Sequence, residues 1–245
     1  MVDLSPCLIN PKKSRSEPDI DPLSLLIPLP GDLQRVTRLF GEAGSLYFKN
    51  NLLRVFRVTG SSRNIGVAGP AVGAPQAIMI LEKLIALGAR RVIFLGWTGG
   101  LNPDLSPGDI ILPDEAISEE GTSRHYSNET RSKPSKFLLM DLKAALMEKD
   151  LSFKQGPVWS TDAPYRETIK KVKTFQSQGV LGVDMETSAI FTVSTFRRIE
   201  AAAILIVSDD LSGMIWRHGF REPRFLEARK QLTRFLYQFA VRSQS

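Results

Sequence analysis

Two acidic residues flank a methionine in the segment LGVDMETSAIF, which covers residues 181–191. The apolar residues before Asp184 have the pattern of a buried strand, and those after Glu186 have the spacing of a helix. A carboxylate at this junction can accept hydrogen bonds from two vicinal hydroxyl groups at once, and the Met185 thioether offers a flexible apolar surface beside it. Glu186 is therefore a candidate ligand-binding residue, whereas Asp184 is also suited to capping the helix that follows.

A second acidic group, formed by Ser208, Asp209 and Asp210, follows the apolar run AAAILIV. A strand this apolar would deliver a partly desolvated carboxyl at its end, and desolvation raises the pKa of a carboxyl. Asp209 is therefore a candidate proton donor. The alternative interpretation is a polar turn, because Ser and Asp are typical turn residues.

Several other chemistries are excluded by what the sequence lacks. It contains neither GxGxxG after the first predicted strand nor GxxxxGK[ST], so dinucleotide and Walker-type phosphate binding are not indicated. The two histidines, His125 and His218, have no Cys or acidic residues at metal-ligand spacing, so no metal site is expected. There is no GxSxG elbow, and the single cysteine, Cys7, lies in the N-terminal segment. Any reaction is expected to use carboxylates, hydroxyls and backbone donors.

Strand-like and helical patterns alternate along most of the chain. Apolar runs such as RRVIFLG and AAAILIVSDD predict strands, and amphipathic segments such as APQAIMILEKLIALG and EPRFLEARKQLTRFLYQFAVR predict helices. This alternation predicts a single-domain, three-layer α/β/α fold with a central mixed, mainly parallel sheet. Residues 1–22 are expected to form a flexible tail, and residues 23–245 the domain.

Ligands of such sheets bind beyond the carboxyl ends of the strands. Polar and glycine-rich segments fall at the predicted ends: PGD (30–32), GPAVGAP (69–75), GWTGG (96–100), STDAPYRE (160–167), DMET (184–187) and SDD (208–210). Each segment alone is typical of a connecting turn. Their recurrence at one edge of the sheet predicts a ligand site there.

Length and composition restrict the class of protein. A chain of 245 residues with 42% apolar content can bury one sizeable core. The net charge of +6 comes mainly from both chain ends, which is typical of a solvated helix face rather than of a nucleic-acid-binding surface. No apolar run is long enough to span a bilayer, and the N-terminal segment lacks the apolar middle of a secretory signal. We expect a cytoplasmic protein that binds neither nucleic acid nor membranes.

Four segments resemble the nucleoside phosphorylases of the purine nucleoside and uridine phosphorylase superfamily. They are PGDLQR, LGWTGG, GVDMETSAIF and IVSDD, and they occur in the order and approximate spacing of that family over about residues 24–240. GVDMETSAI together with VSDD is the specific part of the resemblance. The resemblance implies a phosphorylase-like fold. It also implies that the protein cleaves the glycosidic bond of a nucleoside with inorganic phosphate as co-substrate, giving free base and ribose 1-phosphate, without a cofactor.

The resemblance also implies roles for individual residues. Met185 and Glu186 match the segment that binds ribose. Asp209 matches the aspartate with which purine-cleaving members donate to the purine ring, which favours a purine over a pyrimidine nucleoside. Tyr165 and Arg166 match the base-pocket segment, where Tyr165 would stack on a base.

Phosphate binding is expected at Gly31, Arg35 and Thr98. Gly31 and Arg35 lie at the start of a predicted helix, which suits an oxyanion, and they match phosphate-binding residues of the family. The sequence departs from the family at two nearby positions. Phe94 replaces an arginine on the strand before the glycine loop, and Trp97 replaces a small hydroxyl residue, with Thr98 supplying a hydroxyl one residue later.

Because of this departure, the sequence does not identify the nucleophile that accepts the ribosyl group. Phosphate could be held by other residues, such as Arg63 or an arginine of a neighbouring subunit, or water could be the nucleophile, as in a nucleosidase. A uridine-specific phosphorylase and a non-catalytic nucleoside-binding module are further alternatives. Related enzymes form dimers that often assemble into hexamers, so a homodimer or a hexamer (a trimer of dimers) is expected.

Overall fold

The computed structural model of the chain describes residues 5–58 and 64–242, in which helices and strands alternate. The helices are α1 (Pro30–Ala43), α2 (Gly73–Leu87), α3 (Lys136–Glu148), α4 (Ile169–Ser177), α5 (Thr187–Arg197) and α6 (Pro223–Arg242). The strands are β1 (Leu23–Leu26), β2 (Gly44–Lys49), β3 (Leu53–Val58), β4 (Asn64–Ala68), β5 (Arg91–Gly100), β6 (Ile110–Ser118), β7 (Arg131–Ser132), β8 (Lys154–Ser160), β9 (Gly182–Asp184), β10 (Glu200–Asp210) and β11 (Arg217–His218). Short 3-10 turns cover Ser123–His125 and Pro164–Arg166.

The described strands form one mixed sheet in the order β11-β10-β6-β8-β9-β5-β1-β4-β3-β2, with β7 beside β6. Its central strands β4, β1, β5 and β10 pair in parallel, whereas the β2–β3–β4 edge is antiparallel. Because β10 pairs with both β5 and β6, the strands β5, β10, β6, β8 and β9 close into a ring.

Helices cover both faces of the sheet, because the central strands are apolar on both sides. Helices α2 and α5 pack on one face, in a core that includes Leu81, Phe94 and Phe191. Helices α1, α3 and α6 pack on the other face, in a core that includes Leu142 and Phe225. The predicted three-layer α/β/α arrangement is confirmed. No helix within residues 5–58 and 64–242 is long and apolar enough to cross a membrane.

The structure adds strands that the sequence patterns did not predict. Strand β2 is an edge strand with mostly exposed side chains, and β7 and β11 contain two residues each, so none of them shows a clear alternation of apolar and polar residues. The start of β1 at Leu23 coincides with the predicted domain boundary. Just before it, Ile20 is buried and its N–H donates to the carbonyl of Leu87 at 3.0 Å.

The last residues of β5, β8, β9 and β10 lie beside one another, because Gly99 is opposite both Val183 and Asp209, although β8 and β9 run antiparallel to β5 and β10. Strand β10 is irregular at this end, because its register to β5 passes from Val207 opposite Thr98 to Asp209 opposite Gly99. Ser208 is therefore an extra residue in β10, which is the defining property of a β-bulge. The bulge sets the direction in which the last residues of β10 project.

Candidate active site

A cavity of about 560 Å³ opens at the carboxyl ends of these strands. Its volume lies within the range of about 300–1,000 Å³ that is usual for small-molecule sites. Its walls include Thr98, Tyr165, Glu167, Met185, Glu186 and Asp209. The predicted ligand site at this edge of the sheet therefore corresponds to a real concavity.

Glu186 lies at the junction between β9 and α5 and is only 9% exposed. Its Oε1 accepts a hydrogen bond from the backbone N–H of Gly73 at 2.8 Å. Gly73 has a φ of +77°, a conformation that favours glycine, so the residue type and the contact are linked. A carboxylate offers about four acceptor positions, and this single bond leaves the others for hydroxyl groups of a ligand.

Asp184 has a different role from Glu186. Its carboxylate accepts hydrogen bonds from the backbone N–H and the hydroxyl of Thr187, at 3.0 and 2.5 Å, and from the Ser160 hydroxyl at 2.5 Å. Thr187 is the first residue of α5, so Asp184 accepts from the first backbone N–H of that helix, which agrees with the capping alternative that the sequence left open, although the N-cap position itself is Glu186. Burial raises the pKa of Asp184, and the hydrogen bonds from Ser160 and Thr187 oppose that rise.

Burial, and then the charge of Asp184, raise the pKa of Glu186 above its ordinary value. Glu186 is thus a carboxyl whose charge is poorly solvated. Hydroxyl donors from a ligand would supply the missing stabilisation, since a hydrogen bond to the charged form lowers the pKa of a carboxyl. The environment of Glu186 therefore suits a hydroxyl-bearing ligand.

Asp209 lies on the β10 bulge and both of its oxygens have donors. Oδ1 accepts from the Ser208 hydroxyl at 2.5 Å, and Oδ2 accepts from the indole N–H of Trp216 at 2.9 Å. A Cβ at Gly99 would lie 3.2 Å from Oδ2 and 2.4 Å from the Leu211 side chain, so the glycine leaves the space that this carboxylate needs. Because β10 continues as a strand through Asp210, the turn interpretation of SDD is wrong.

An aromatic segment that the sequence did not single out completes this side of the cavity. Trp216 and Phe220 both line it, with their ring centroids 6.5 Å apart, and Trp216 is 63% exposed. The segment WRHGF follows β10 without any periodic pattern. Two aromatic residues in a loop were the only signal available for it.

Of the two residues predicted in the segment after β8, Tyr165 lines the cavity and Arg166 does not. Tyr165 lines the cavity but is fully exposed, which places it at the rim. Arg166 is exposed and does not line the cavity, whereas the next residue, Glu167, does. Burial, and then the charge of Asp209, raise the pKa of Glu167 to about 7. Nothing in the sequence singles out Glu167 beyond its place two residues after Tyr165.

The expected phosphate residues are not brought together. Gly31 and Arg35 lie in the first turns of α1 and are not among the residues that line the cavity. Arg35 is 3.4 Å from the buried carboxylate of Asp32. Thr98 does line the cavity, but its hydroxyl already donates to the carbonyl of Val183 at 2.9 Å.

Trp97 occupies the region between the cavity and α1. Its indole N–H donates to Asp32 Oδ2 at 2.8 Å, and Arg229 Nε donates to Oδ1 of the same carboxylate, also at 2.8 Å. The Arg229 guanidinium lies 4.6 Å from the centre of the Trp97 ring, in a cation–π contact. Phe94 is fully buried in the core. Phe94 and Trp97, the two positions where the chain departs from the phosphorylases, thus have structural roles. Phe94 packs in the core, and Trp97 contacts both partners of the buried ion pair between Asp32 and Arg229.

The described wall of the cavity carries acidic side chains but no basic ones. Among the described lining residues there are carboxyl groups but no Lys, Arg or His, and Arg63 lies outside the described residues. No group of three or more His, Cys, Asp and Glu side chains in the same described ranges could hold a metal ion.

The sequence matches the model of the phosphorylase superfamily over residues 23–240. The chain belongs to the phosphorylase superfamily. It is 26% identical over 196 residues to the guanosine phosphorylase of Halorubrum lacusprofundi, which covers 80% of this chain and 81% of that protein.

Solved structures of superfamily members have the same fold. The purine nucleoside phosphorylase of Toxoplasma gondii, in complex with immucillin-H, superposes with a TM-score of 0.80 at 22% identity, over 93% of this chain and 94% of that one. The AMP nucleosidase of Bacteroides thetaiotaomicron superposes with a TM-score of 0.72 at 26% identity, over 92% of each chain. The superfamily therefore includes enzymes named for transfer to phosphate and an enzyme named for hydrolysis.

In this member of the superfamily, the predicted site residues divide into two groups. The cavity brings together Thr98, Tyr165, Met185, Glu186 and Asp209. It does not bring in Gly31, Arg35 or Arg166. The predicted ribose residues and Asp209 thus share one concavity with Thr98, whereas two of the three expected anion residues lie outside it.

Proposed function

We propose that the protein cleaves the N-glycosidic bond of a purine nucleoside and transfers the ribosyl group to phosphate. The observation that carries this proposal is that Glu186 and Asp209 project into one cavity of suitable size. Cleavage builds positive charge on the ribose and negative charge on the departing base. A carboxylate beside the ribose would stabilise the positive charge, and a second polar group beside the base would stabilise the negative charge.

The ribose would bind at Glu186 and Met185. Glu186 accepts hydrogen bonds from the two vicinal hydroxyls, and its charge stabilises the cationic sugar. Met185, which lies between the two acids and lines the cavity, packs against the sugar face. The base would lie toward Asp209, with Tyr165 and Trp216 available to stack on it. Arg166 would contact a base only from the rim.

Phosphate as the acceptor is supported by the relatives named as phosphorylases. Gly31 and Arg35 at the start of α1, with Thr98 on β5, remain our proposed anion residues, completed by Arg63 or by an arginine of a neighbouring subunit. A homodimer, or a hexamer built from dimers, would bring such a neighbour into reach.

Base release should therefore depend on phosphate. Purified protein is incubated with inosine, guanosine, adenosine or uridine, with and without inorganic phosphate, and the free base and the sugar product are separated by chromatography. Phosphate-dependent release of a purine base with formation of ribose 1-phosphate is the expected result. Efficient cleavage of uridine alone would contradict the purine assignment, and nucleoside binding without base release would support a non-catalytic module.

The second candidate function is hydrolysis of the same bond. It is favoured by the absence of any cation among the described lining residues and by the packing roles of Phe94 and Trp97. A phosphate dianion beside several carboxyl groups would be repelled without such a cation. Equal base release with and without phosphate, giving free ribose, would establish the nucleosidase.

Replacement of Arg35 tests the proposed anion site. Arg35→Ala should raise the KM for phosphate about 10- to 100-fold and leave the KM for nucleoside nearly unchanged, because one charge-assisted contact is worth roughly 1.5–3 kcal/mol. Arg38→Ala is the matched control, since Arg38 is an exposed arginine on the same helix. An equal phosphate KM in the two variants would move the anion site away from α1.

A further inference from the structure

Helix α3 has apolar residues on two opposite sides, and the core covers only one of them. The inner residues are buried and pack beneath the helix; they are Leu138, Leu142 and Leu146. The outer residues, called the outer stripe below, are exposed; they are Phe137, Met140, Ala144 and Met147. Because an α-helix has 3.6 residues per turn, the two sets point in opposite directions. Phe137, Met140 and Met147 are 72%, 57% and 62% exposed, so the outer stripe faces solvent in the single subunit.

The outer stripe has the spacing of a coiled-coil seam. Its four residues follow one another at intervals of three, four and three positions, which is the alternation of the a and d positions in a heptad repeat. Single exposed apolar residues are normal on a protein surface and need no explanation. A stripe that keeps this period from one end of a helix to the other is typical of a helix that packs against a second helix.

Charged residues border the outer stripe, with basic residues on one side and acidic residues on the other. With Phe137 at position a, Lys136 and Lys143 take the g positions, and Asp141 and Glu148 take the e positions. All four charged residues are exposed. In two parallel helices, each g residue faces the e residue five positions further along the partner, so every contact here would join opposite charges. In two antiparallel helices, g faces g and e faces e, so like charges would meet.

We propose that α3 is a self-association surface, on which a second copy of this chain packs its own α3 as a parallel coiled-coil pair about a two-fold axis. A two-fold contact uses the same surface twice, so one helix must supply both the basic and the acidic side, as α3 does. No residue of α3 is among the described residues that line the cavity. This contact is therefore different from one that would bring a neighbour's arginine to the anion site, and it does not depend on the proposed function.

The apolar stripe should supply most of the affinity, and the charges should select the orientation. Asp141 already forms an ion pair with Arg91 of its own subunit. Glu148 forms one with Arg242. Exposed ion pairs contribute little, so sharing these carboxylates with a second copy adds little net affinity. A seam of two heptads also buries less than the roughly 800 Å² per partner of a standard interface, so the association should be reversible and depend on concentration.

The first test is analytical ultracentrifugation of the full chain over a wide range of concentrations. The particle mass of the wild type should rise with concentration toward twice the mass of Met140→Lys. The substitution should weaken the association by roughly 100-fold or more, because it buries two like charges in the seam. Met140→Leu is the matched control and should associate like wild type, because Leu suits a d position. Thermal unfolding checks that both variants are folded.

A charge exchange tests the pairing across the seam. Lys143→Glu and Glu148→Lys each place like charges opposite each other, so each variant alone should associate roughly 3- to 10-fold more weakly than wild type. A mixture of the two variants places opposite charges together again and should regain the wild-type affinity. Stronger association of Lys143→Glu alone would indicate the antiparallel arrangement and overturn the proposed pair.

A cysteine cross-link tests the orientation directly. In a Cys7→Ser background, which removes the exposed native thiol, Met147→Cys should form a disulfide-linked dimer under mild oxidation. In a parallel pair the two copies of this position face each other. In an antiparallel pair centred on Leu142 they would be roughly 15 Å apart along the axis, since each residue adds about 1.5 Å. Lys173→Cys, at an exposed position of α4, is the control and should remain uncrosslinked.

Two results together would overturn the inference. They are an equal particle mass for wild type and Met140→Lys at every concentration, and no cross-link through Met147→Cys. The outer stripe would then be left to a helix of a different protein. Neither result would affect the proposed function, because base release is measured separately and no residue of α3 takes part in it.

Discussion

Glu186→Ala should abolish most turnover while the protein remains folded. Two hydrogen bonds from ribose hydroxyls to a buried carboxylate, at roughly 1.5–3 kcal/mol each, correspond to a loss in kcat/KM of about 10²- to 10⁴-fold. The charge of Glu186 also stabilises the cationic ribosyl group, so kcat should fall along with the affinity. Steady-state kinetics on a purine riboside measures both, and circular dichroism and thermal unfolding check the fold.

Glu186→Gln separates the charge from the shape. The amide oxygen of Gln can still accept the hydrogen bond from Gly73, so the start of α5 keeps its packing while the charge is lost. The loss of activity in Glu186→Gln should be close to that in Glu186→Ala if the charge of Glu186 contributes most of the effect. A wild-type rate in Glu186→Ala, or equal cleavage of 2′,3′-dideoxynucleosides and ribosides by the unmodified protein, would contradict the ribose assignment.

Asp209→Asn should lower kcat by roughly 10²- to 10⁴-fold on natural purine nucleosides, the range of a general-acid contribution. The variant keeps the shape and some hydrogen bonding to Ser208 and Trp216, but its amide has no carboxyl proton to give to the leaving base. The purine base must then leave as an anion.

Substrate choice distinguishes help to the leaving base from structural damage. With 7-methylguanosine, Asp209→Asn should lose far less activity, since that base leaves without a proton. Asp210→Asn is the matched control: Asp210 is the next residue of β10, and its carboxylate accepts from the Ser212 N–H rather than lining the cavity. Equal losses of Asp209→Asn on both substrates would assign Asp209 a binding or structural role.

The layers of this fold were predictable because its central strands are continuous apolar runs and its covering helices are amphipathic. The strand AAAILIVSDD is buried from Ala201 to Ser208, and the helix beginning PRFLEARK carries its buried residues at helical spacing. The short strands β2, β7 and β11 carry no such pattern. Their pairing is set by neighbours that the local sequence does not specify.

Some residues of the candidate site were likewise predictable from the sequence, and others were not. Glu186 and Asp209 were predictable because each follows or ends a recognisable strand pattern, and ligands of α/β sheets bind beyond strand ends. The exclusion of Arg35 from the cavity was not predictable, because it depends on Asp32, Trp97 and Arg229, which lie far apart in the chain. Glu167 is likewise identified as a lining residue only by the folded structure, in which burial and then the charge of Asp209 raise its pKa.

The extra residue in β10 decides on which side of the strand Asp209 lies. In a regular strand Val207 and Asp209 would share one side, but Ser208 lets Asp209 lie opposite Gly99 and therefore on the other side from Val207. Deleting Ser208 would make the pairing regular and keep Asp209 opposite Gly99, with the loss of the hydroxyl that donates to Oδ1. This strand end can therefore lose one codon without moving the carboxylate to the other side of the sheet.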